Sequence, residues 1–156
     1  MTIRRCVTAG LVLGSILSIL LGCDHSPTEP TGSVRFQTVL KATLPGDGPA
    51  LQDGEAVRDR ARWQALWTEL HSELPTPLPE IDFSREMVVL VAVPGCQATV
   101  EVSAIDRGQS ELVVSAQAKS CGLALCAIAE FGVHAVRLPR SESPVRFAVR
   151  HDAGLC

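Results

Sequence analysis

The order of hydrophobic and polar positions divides the chain into three segments. A basic start, with Arg4 and Arg5, precedes an uncharged and largely apolar run from Cys6 to Gly22. The following stretch, DHSPTEPTGS, contains prolines, serines and threonines without apolar periodicity, which is typical of an extended tether. Patterned hydrophobicity begins at Val34 and continues without a second linker. The pattern predicts a signal segment at 1–22, an attachment cysteine and tether at 23–33, and one folded domain at 34–156.

The clearest helical signal lies between Asp59 and Leu74. Apolar residues recur there at three- and four-residue steps and so share one helix face: Trp63, Leu66, Trp67, Leu70 and Leu74. Asp59 is a suitable N-cap, and the prolines of residues 74–80 (LPTPLPE) end the helix. The two tryptophans could form a ligand platform or part of a buried core, and their spacing favours the core.

Short β-branched and alternating runs predict strands on both sides of this helix. Extended segments are expected in residues 34–44 and 50–58, a central strand in 85–93, a hairpin from 99–106 and 110–119, and a terminal pair from 133–139 and 144–150. Asp106, Arg107 and Gly108 supply the hairpin turn. The predicted fold class is α+β, a mostly antiparallel β-sheet with one main amphipathic helix packed on it.

Cys23 stands at the junction between the apolar run and the tether. The residues from Leu20 to Cys23 resemble the bacterial lipobox, in which the chain is cleaved before the cysteine. This resemblance implies a lipoprotein, with a diacylglyceryl group on the Cys23 thiol and an acyl chain such as palmitate on its amine. Several chains give durable membrane attachment, whereas one chain binds only marginally. The alternative is an uncleaved membrane anchor, but the apolar run is shorter than the roughly 20 residues that a span needs.

Asp24 bears on the membrane that receives the anchor. An aspartate directly after the lipidated cysteine resembles a signal for retention at the periplasmic face of the inner membrane. The alternative is that Asp24 merely begins the tether of a protein sorted to the outer membrane or cell surface. In either case the domain is expected to lie in the cell envelope.

The charge balance disfavours two classes of partner. The chain carries a formal net charge of −3, which becomes −5 when Arg4 and Arg5 leave with the signal segment. Nucleic-acid binding requires a basic face, so it is not expected here. A polybasic membrane-binding patch is disfavoured for the same reason.

Four cysteines remain in the domain: Cys96, Cys121, Cys126 and Cys156. An even number in an oxidising compartment indicates disulfides, and four cysteines allow three pairings. The favoured hypothesis joins Cys96 to Cys126 and Cys121 to Cys156, which predicts a disulfide-stapled domain. A zinc site and a thiol redox centre are the alternatives; the oxidising compartment disfavours the first and the absence of a Cys-x-x-Cys motif the second.

No catalytic motif occurs in the chain. The histidines His25, His71, His134 and His151 belong to no His-Glu-x-x-His pattern, and neither a Gly-x-Ser-x-Gly motif nor a phosphate-binding loop is present. Glu80 and Asp82 are paired carboxylates, but their proline-rich surroundings are weak support for glycosidase chemistry. The sequence therefore predicts a non-enzymatic protein with no catalytic residue, metal or cofactor.

Residues 56–95 resemble the C-terminal domain of the protease complex subunit PrcB family. The resemblance rests on the helical motif around Trp63 and Trp67, the turn at Asp82 and Phe83, the hydrophobic strand that ends near Gly95, and a VRLPR segment at 136–140. It implies an exported, often lipid-anchored domain, and for the founding member an accessory role in a surface protease complex. Asp82 is expected to brace the turn before the central strand, and Phe83 to belong with it to the structural core.

Two readings of function follow. In the first, the domain is an interaction module that holds or stabilises another envelope protein, and it exposes an apolar patch or an open strand edge. In the second, it binds a small ligand, a glycan or a lipid, and it contains a concave apolar cavity between helix and sheet. The resemblance to PrcB favours the first reading.

Overall fold

Two four-stranded β-sheets stack face to face and carry one short helix. They are seen in a computed structural model that describes residues 31–51, 53–70, 77–121 and 128–153. In chain order the elements are β1 (Gly32–Ser33), β2 (Gln37–Pro45), β3 (Glu55–Val57), α1 (Arg60–Leu70), β4 (Glu86–Pro94), β5 (Cys96–Arg107), β6 (Leu112–Cys121), β7 (Glu130–Pro139) and β8 (Val145–Ala153). The first sheet has the strand order β1-β5-β6-β8 and the second β2-β7-β4-β3.

The chain enters this sandwich at one end. Gly32 pairs with Arg107 at the end of β5, close to where β2 begins. The β5–β6 turn and the segment between β7 and β8 lie at this same end, which we call the tether pole. Gly95, between β4 and β5, lies at the opposite end, which we call the far pole. Five strand pairs among the described residues are antiparallel, and β6 with β8 is parallel.

The two faces of β4 build two separate cores. Met87, Val89, Val91 and Val93 face the first sheet and pack with apolar residues of β5 and β6. Val88, Leu90 and Ala92 face the helix. A strand covered on both sides reads as a continuous hydrophobic run, which is why the sequence predicted a central strand here. That prediction is confirmed, because β4 lies between β7 and β3.

Helix α1 covers the outer face of the second sheet. The Asp59 carboxylate accepts a 2.8 Å hydrogen bond from the Arg62 N–H and caps the helix as expected. Trp63 and Trp67 are buried, with ring centroids 5.2 Å apart, and they pack on the sheet together with Leu66 and Leu70. The predicted helical face is therefore confirmed up to Leu70, while Leu74 and His71 lie outside the described residues.

The expected α+β class, with one sheet and a packed helix, is wrong. Strands make up 58% of the described residues, and they form two sheets. The single 11-residue helix, about 16 Å long, lies on one face of the second sheet. The other face is covered by β5 and β6 of the first sheet. The alternation in β5 and β6 predicted one buried face correctly, but alternation does not reveal whether a helix or another sheet covers it.

The expected terminal pair of strands is also wrong. β7 belongs to the second sheet, where it lies between β2 and β4, and β8 belongs to the first sheet beside β6. Residues 140–144 thus cross from one sheet to the other instead of forming a hairpin. Short sequence separation favoured the hairpin, but two guanidinium groups hold the crossing segment in place, as described below.

The disulfides of the domain lie only partly within the described residues. Cys96 and Cys121 lie opposite each other at the far pole, and both are buried and disulfide-bonded. No bridge with both ends among the described residues is seen, and Cys126 and Cys156 lie outside them. The pairing of Cys96 with Cys126 and of Cys121 with Cys156 stays a prediction.

Candidate interaction surface

Strand β8 has a neighbouring strand on one side. It pairs with β6 from Val145 to Ala153, and no strand in the described part of the chain lies along its other side. Such an edge presents main-chain N–H and C=O groups to which another extended chain can bond. The edge is nine residues long, roughly 30 Å at about 3.3 Å per residue.

One hydrogen bond gives the direction of the main-chain groups along β8. The N–H of Leu112 donates to the carbonyl of Pro144 at 2.8 Å, immediately before the paired residues Leu112 and Val145. In a parallel ladder, alternate residues then direct both main-chain groups to the same neighbour. Four residues of β8 therefore point theirs at β6: Arg146, Ala148, Arg150 and Asp152. Those that point theirs at the open edge are Val145, Phe147, Val149, His151 and Ala153.

The side chains beside the open edge differ between its two faces. Val145, Phe147 and Val149 pack against the core between the sheets. On the outer face, Arg146 Nε donates to Glu111 Oε1 at 3.0 Å, while Arg150 is exposed. Arg150 also borders a shallow polar groove of about 400 Å³ across β5, β6 and β8. The edge thus has an apolar inner side and a charged outer side, where Arg146 is paired with Glu111 and Arg150 lies two residues before Asp152.

Two arginines fix the segment from which β8 starts. Arg58 donates to the carbonyl of Ser141 at 2.9 Å and to that of Ser143 at 2.7 Å. Arg140 Nη1 donates to the carbonyls of Arg58 and Phe83, at 2.8 and 2.6 Å. Charged donors make stronger hydrogen bonds than neutral ones. The position of β8 is therefore tied directly to the second sheet.

The Phe147 side chain packs between the two sheets, beside the chain that leads into β3. A Cβ atom added to Gly54 would lie 2.5 Å from the Phe147 ring and 2.8 Å from the carbonyl oxygen of Leu90. Only glycine lets the chain before β3 approach both groups this closely. Phe147 is consequently held inside the sandwich while its main chain faces the open edge.

The turn before β4 is braced by Asp82. Its carboxylate accepts hydrogen bonds from the N–H and hydroxyl of Ser84, and its carbonyl accepts from the N–H groups of Arg85 and Glu86. The Ser84 hydrogen bonds lower the pKa of the exposed Asp82 carboxyl, and Arg85 adds to this effect. Phe83 is half-buried at the margin of the helix-side core. The geometry of Asp82 is that of a structural turn.

His134 is a buried polar residue that sequence reasoning did not identify. It lies in the core between the sheets at 3% exposure. Its Nδ1 accepts from the Val102 N–H at 2.8 Å, and its Nε2 lies 3.0 Å from the Thr38 hydroxyl. The sequence feature that indicates its burial is its position as the one polar residue inside the apolar run from Phe131 to Val136.

The space between α1 and the second sheet is filled with side chains. Trp63 and Leu66 pack there against Leu90, Phe131 and Val133. Among the described residues, this packing fills the place where the ligand-binding alternative expects an apolar cavity.

The remaining site predictions are only partly covered by the structure. The proposed attachment cysteine Cys23 and the proposed sorting residue Asp24 lie outside the described residues. Within the described ranges, no group of three or more His, Cys, Asp or Glu residues could hold a metal ion. The same ranges contain no helix of the length and hydrophobicity needed to cross a bilayer.

Comparison of the chain with protein-family models, with curated proteins and with solved structures finds no match.

Proposed function

We propose that this protein is a lipid-anchored cell-envelope protein whose β-sandwich is a non-catalytic interaction module. Cys23 attaches the chain to the membrane, and the tether places the sandwich beside it. The partner is an envelope protein that adds an extended segment to the open edge of β8. The observation that carries this proposal is the nine-residue edge with its outward N–H and C=O groups.

The chemistry beside β8 defines the segment that would fit. An added strand places alternate side chains next to those of β8 on the same face. Its outer-face residues would adjoin Arg146, which Glu111 already pairs, and Arg150, which favours a carboxylate beside it. Its inner-face residues would adjoin Phe147 and Val149, which favours apolar side chains. We therefore expect an extended segment that alternates acidic and apolar residues.

The resemblance to the PrcB domain supports an accessory role. By that resemblance the partner would be an envelope protease, which this module would hold or stabilise. In the described part of the chain, the packing of α1 on the second sheet leaves the open edge of β8 as the feature that best fits an interaction role.

The proposal is tested by photo-crosslinking in intact cells. A benzophenone amino acid at Arg150, beside the open edge, is expected to form an adduct with one envelope protein, and the same probe at Gln64 on the exposed helix face is not. His151→Pro removes an outward N–H without removing a β6–β8 hydrogen bond, so it should abolish the adduct. His151→Ala removes the same side chain and keeps that N–H, so it should leave the adduct intact.

Mapping of the crosslinked peptide decides whether the bound segment alternates acidic and apolar residues. Adducts of equal yield at Arg150 and Gln64, or an adduct that survives His151→Pro, would show that the open edge is not the docking site. A Cys23→Ala chain tests the anchor separately, since it should fail to incorporate labelled palmitate.

A further inference from the structure

Four arginines converge at the tether pole, although the chain as a whole is acidic. One groove, of about 320 Å³, is lined by Arg35, Arg85 and Arg137 together with Phe36 and Leu138. An adjoining groove of about 530 Å³ adds Arg60, Glu80 and Asp82. Glu86 and Arg137 border both grooves. We call the first of these, which holds three arginines and one glutamate, the arginine groove.

Two of the three arginines in this groove pair with carboxylates only at long distance, and the third has no such partner in the described ranges. Arg137 is held by the Gln37 side-chain oxygen and lies 3.9 Å from Glu86. Arg85 is 86% exposed and reaches Asp82 only at 4.0 Å. Arg35 has no ion-pair partner within 4.0 Å in the described ranges. The arginine groove consequently carries an excess of positive charge that is available to an external anion.

The position of the groove follows from where the tether ends. Main-chain pairing of Gly32 with Arg107, and a 2.7 Å hydrogen bond from the Val34 N–H to the Ile105 carbonyl, fix the start of the domain. Arg35 is the next residue along the chain. Thr31 lies eight residues after Cys23, a reach of at most about 29 Å when fully extended. A chain anchored at Cys23 therefore holds its tether pole within reach of the bilayer surface.

We infer that the arginine groove binds the phosphate groups of anionic phospholipids in the membrane that carries the anchor. This inference rests on the lipid attachment proposed above. Guanidinium groups suit phosphate because they donate two parallel hydrogen bonds to its oxygens. The contact orients the sandwich, so that the tether pole faces the membrane and β8 runs away from it. Overall charge disfavoured such a patch, but contact with a membrane depends on local charge.

Each arginine near an anionic surface contributes about a five-fold gain in binding, since one basic residue adds about 1 kcal/mol. The interaction should weaken at high salt, because the Debye length falls from about 8 Å in physiological salt to about 3 Å at 1 M.

The inference is tested by hydrogen–deuterium exchange of the full chain reconstituted in vesicles. Vesicles of phosphatidylcholine alone are compared with vesicles that also contain phosphatidylglycerol. Peptides covering residues 34–38, 84–88 and 136–139 should exchange more slowly on the anionic vesicles. Arg35→Glu and Arg85→Glu should each reduce that protection about five-fold or more. Lys119→Glu, the same charge reversal at the far pole, should leave it unchanged.

Three outcomes would overturn the inference. The first is equal exchange on both kinds of vesicle. The second is an equal loss of protection in the Lys119→Glu chain. The third is full protection by inorganic phosphate on phosphatidylcholine vesicles, which would assign the groove to a free anion. The intact mass of the chain shows separately whether Cys23 carries lipid. A chain without lipid still attaches to vesicles through its apolar run, so the arginine groove can be tested even if the proposed lipid attachment is wrong.

Discussion

The imidazole of His134 joins the two sheets through the main chain of Val102. Its Nδ1 accepts a 2.8 Å hydrogen bond from the Val102 N–H, at a point where the β5–β6 register shifts. An Nδ1 that accepts a hydrogen bond carries no proton, so the proton of the neutral ring lies on Nε2 and can be donated to Thr38. Both ring nitrogens are thus satisfied in the neutral form, and protonation of Nδ1 would break the bond between the sheets.

Acidification is therefore expected to destabilise the domain through His134. Burial is the main cause that lowers its pKa below the usual value of about 6.5; the positive charge of Lys41 lowers it further, and Glu101 opposes both. Because the folded pKa is depressed for a group that is charged when protonated, its contribution is fully present above about pH 6.5 and is lost as the pH falls below it. Urea unfolding at several pH values measures this loss. His134→Gln should lack this component of the pH dependence, and an unchanged profile in that variant would contradict the assignment.

Gly132→Ala should force the two sheets apart at the far pole. A Cβ atom on Gly132 would lie 2.6 Å from the carbonyl oxygen of Ala98 and 2.9 Å from the Thr99 nitrogen, and both are main-chain atoms. Overpacking of this kind destabilises by about 1–3 kcal/mol. Chemical denaturation gives the change in unfolding free energy, and a variant as stable as the parent would show that β5 and β7 separate easily.

Arg58→Lys should loosen the segment that leads into β8. Lysine keeps the charge but cannot reach the carbonyls of Ser141 and Ser143 together, as the planar guanidinium does. Hydrogen bonds from charged donors contribute about 1.5–3 kcal/mol, so a loss in that range is expected in thermal or chemical unfolding. Hydrogen exchange at residues 141–146 should also accelerate. Unaltered exchange there would indicate that Arg140 alone holds the segment.

Glu55→Gln should weaken the contact between β3 and α1 by a smaller amount. Both oxygens of Glu55 accept from the Arg62 guanidinium at 2.6 Å, and this pairing holds the pKa of Arg62 above its usual range. The side chains are 24% and 39% exposed, so solvent screens the pair and about 1 kcal/mol or less is expected. The difference between the two proteins should shrink in high salt; a difference independent of salt would point to packing.

Local patterns predicted the local elements well. The apolar spacing of Trp63, Leu66 and Leu70 defined α1, and Asp59 caps it as expected. The β-branched run of β4 and the alternation of β5 and β6 gave strands in the right places. These features depend on neighbours within a few residues, which is the range over which sequence periodicity carries information.

Long-range arrangements were not predictable in the same way. The crossing of residues 140–144 depends on Arg58, which lies more than 80 residues earlier in the chain. The arginine groove unites Arg35, Arg85 and Arg137 from three separate segments. Similarly, the hydrogen bond from Val102 to His134 depends on the stacking of two sheets, whereas the residue pattern predicts one.

The parallel pairing of β8 with β6 has a mechanical consequence. The described chain begins beside Arg107 at the tether pole, and β8 ends beside Ser120 at the far pole. A force applied between the proposed anchor at Cys23 and a load on β8 would slide β8 along β6, and the ladder from Leu112 to Ser120 would resist as a set of bonds loaded in shear. Because the force runs along the strands, the β6–β8 hydrogen bonds are loaded together and do not break one after another. If the chain is anchored and bound at β8 as proposed, the sandwich is suited to remain folded under tension between the two attachments.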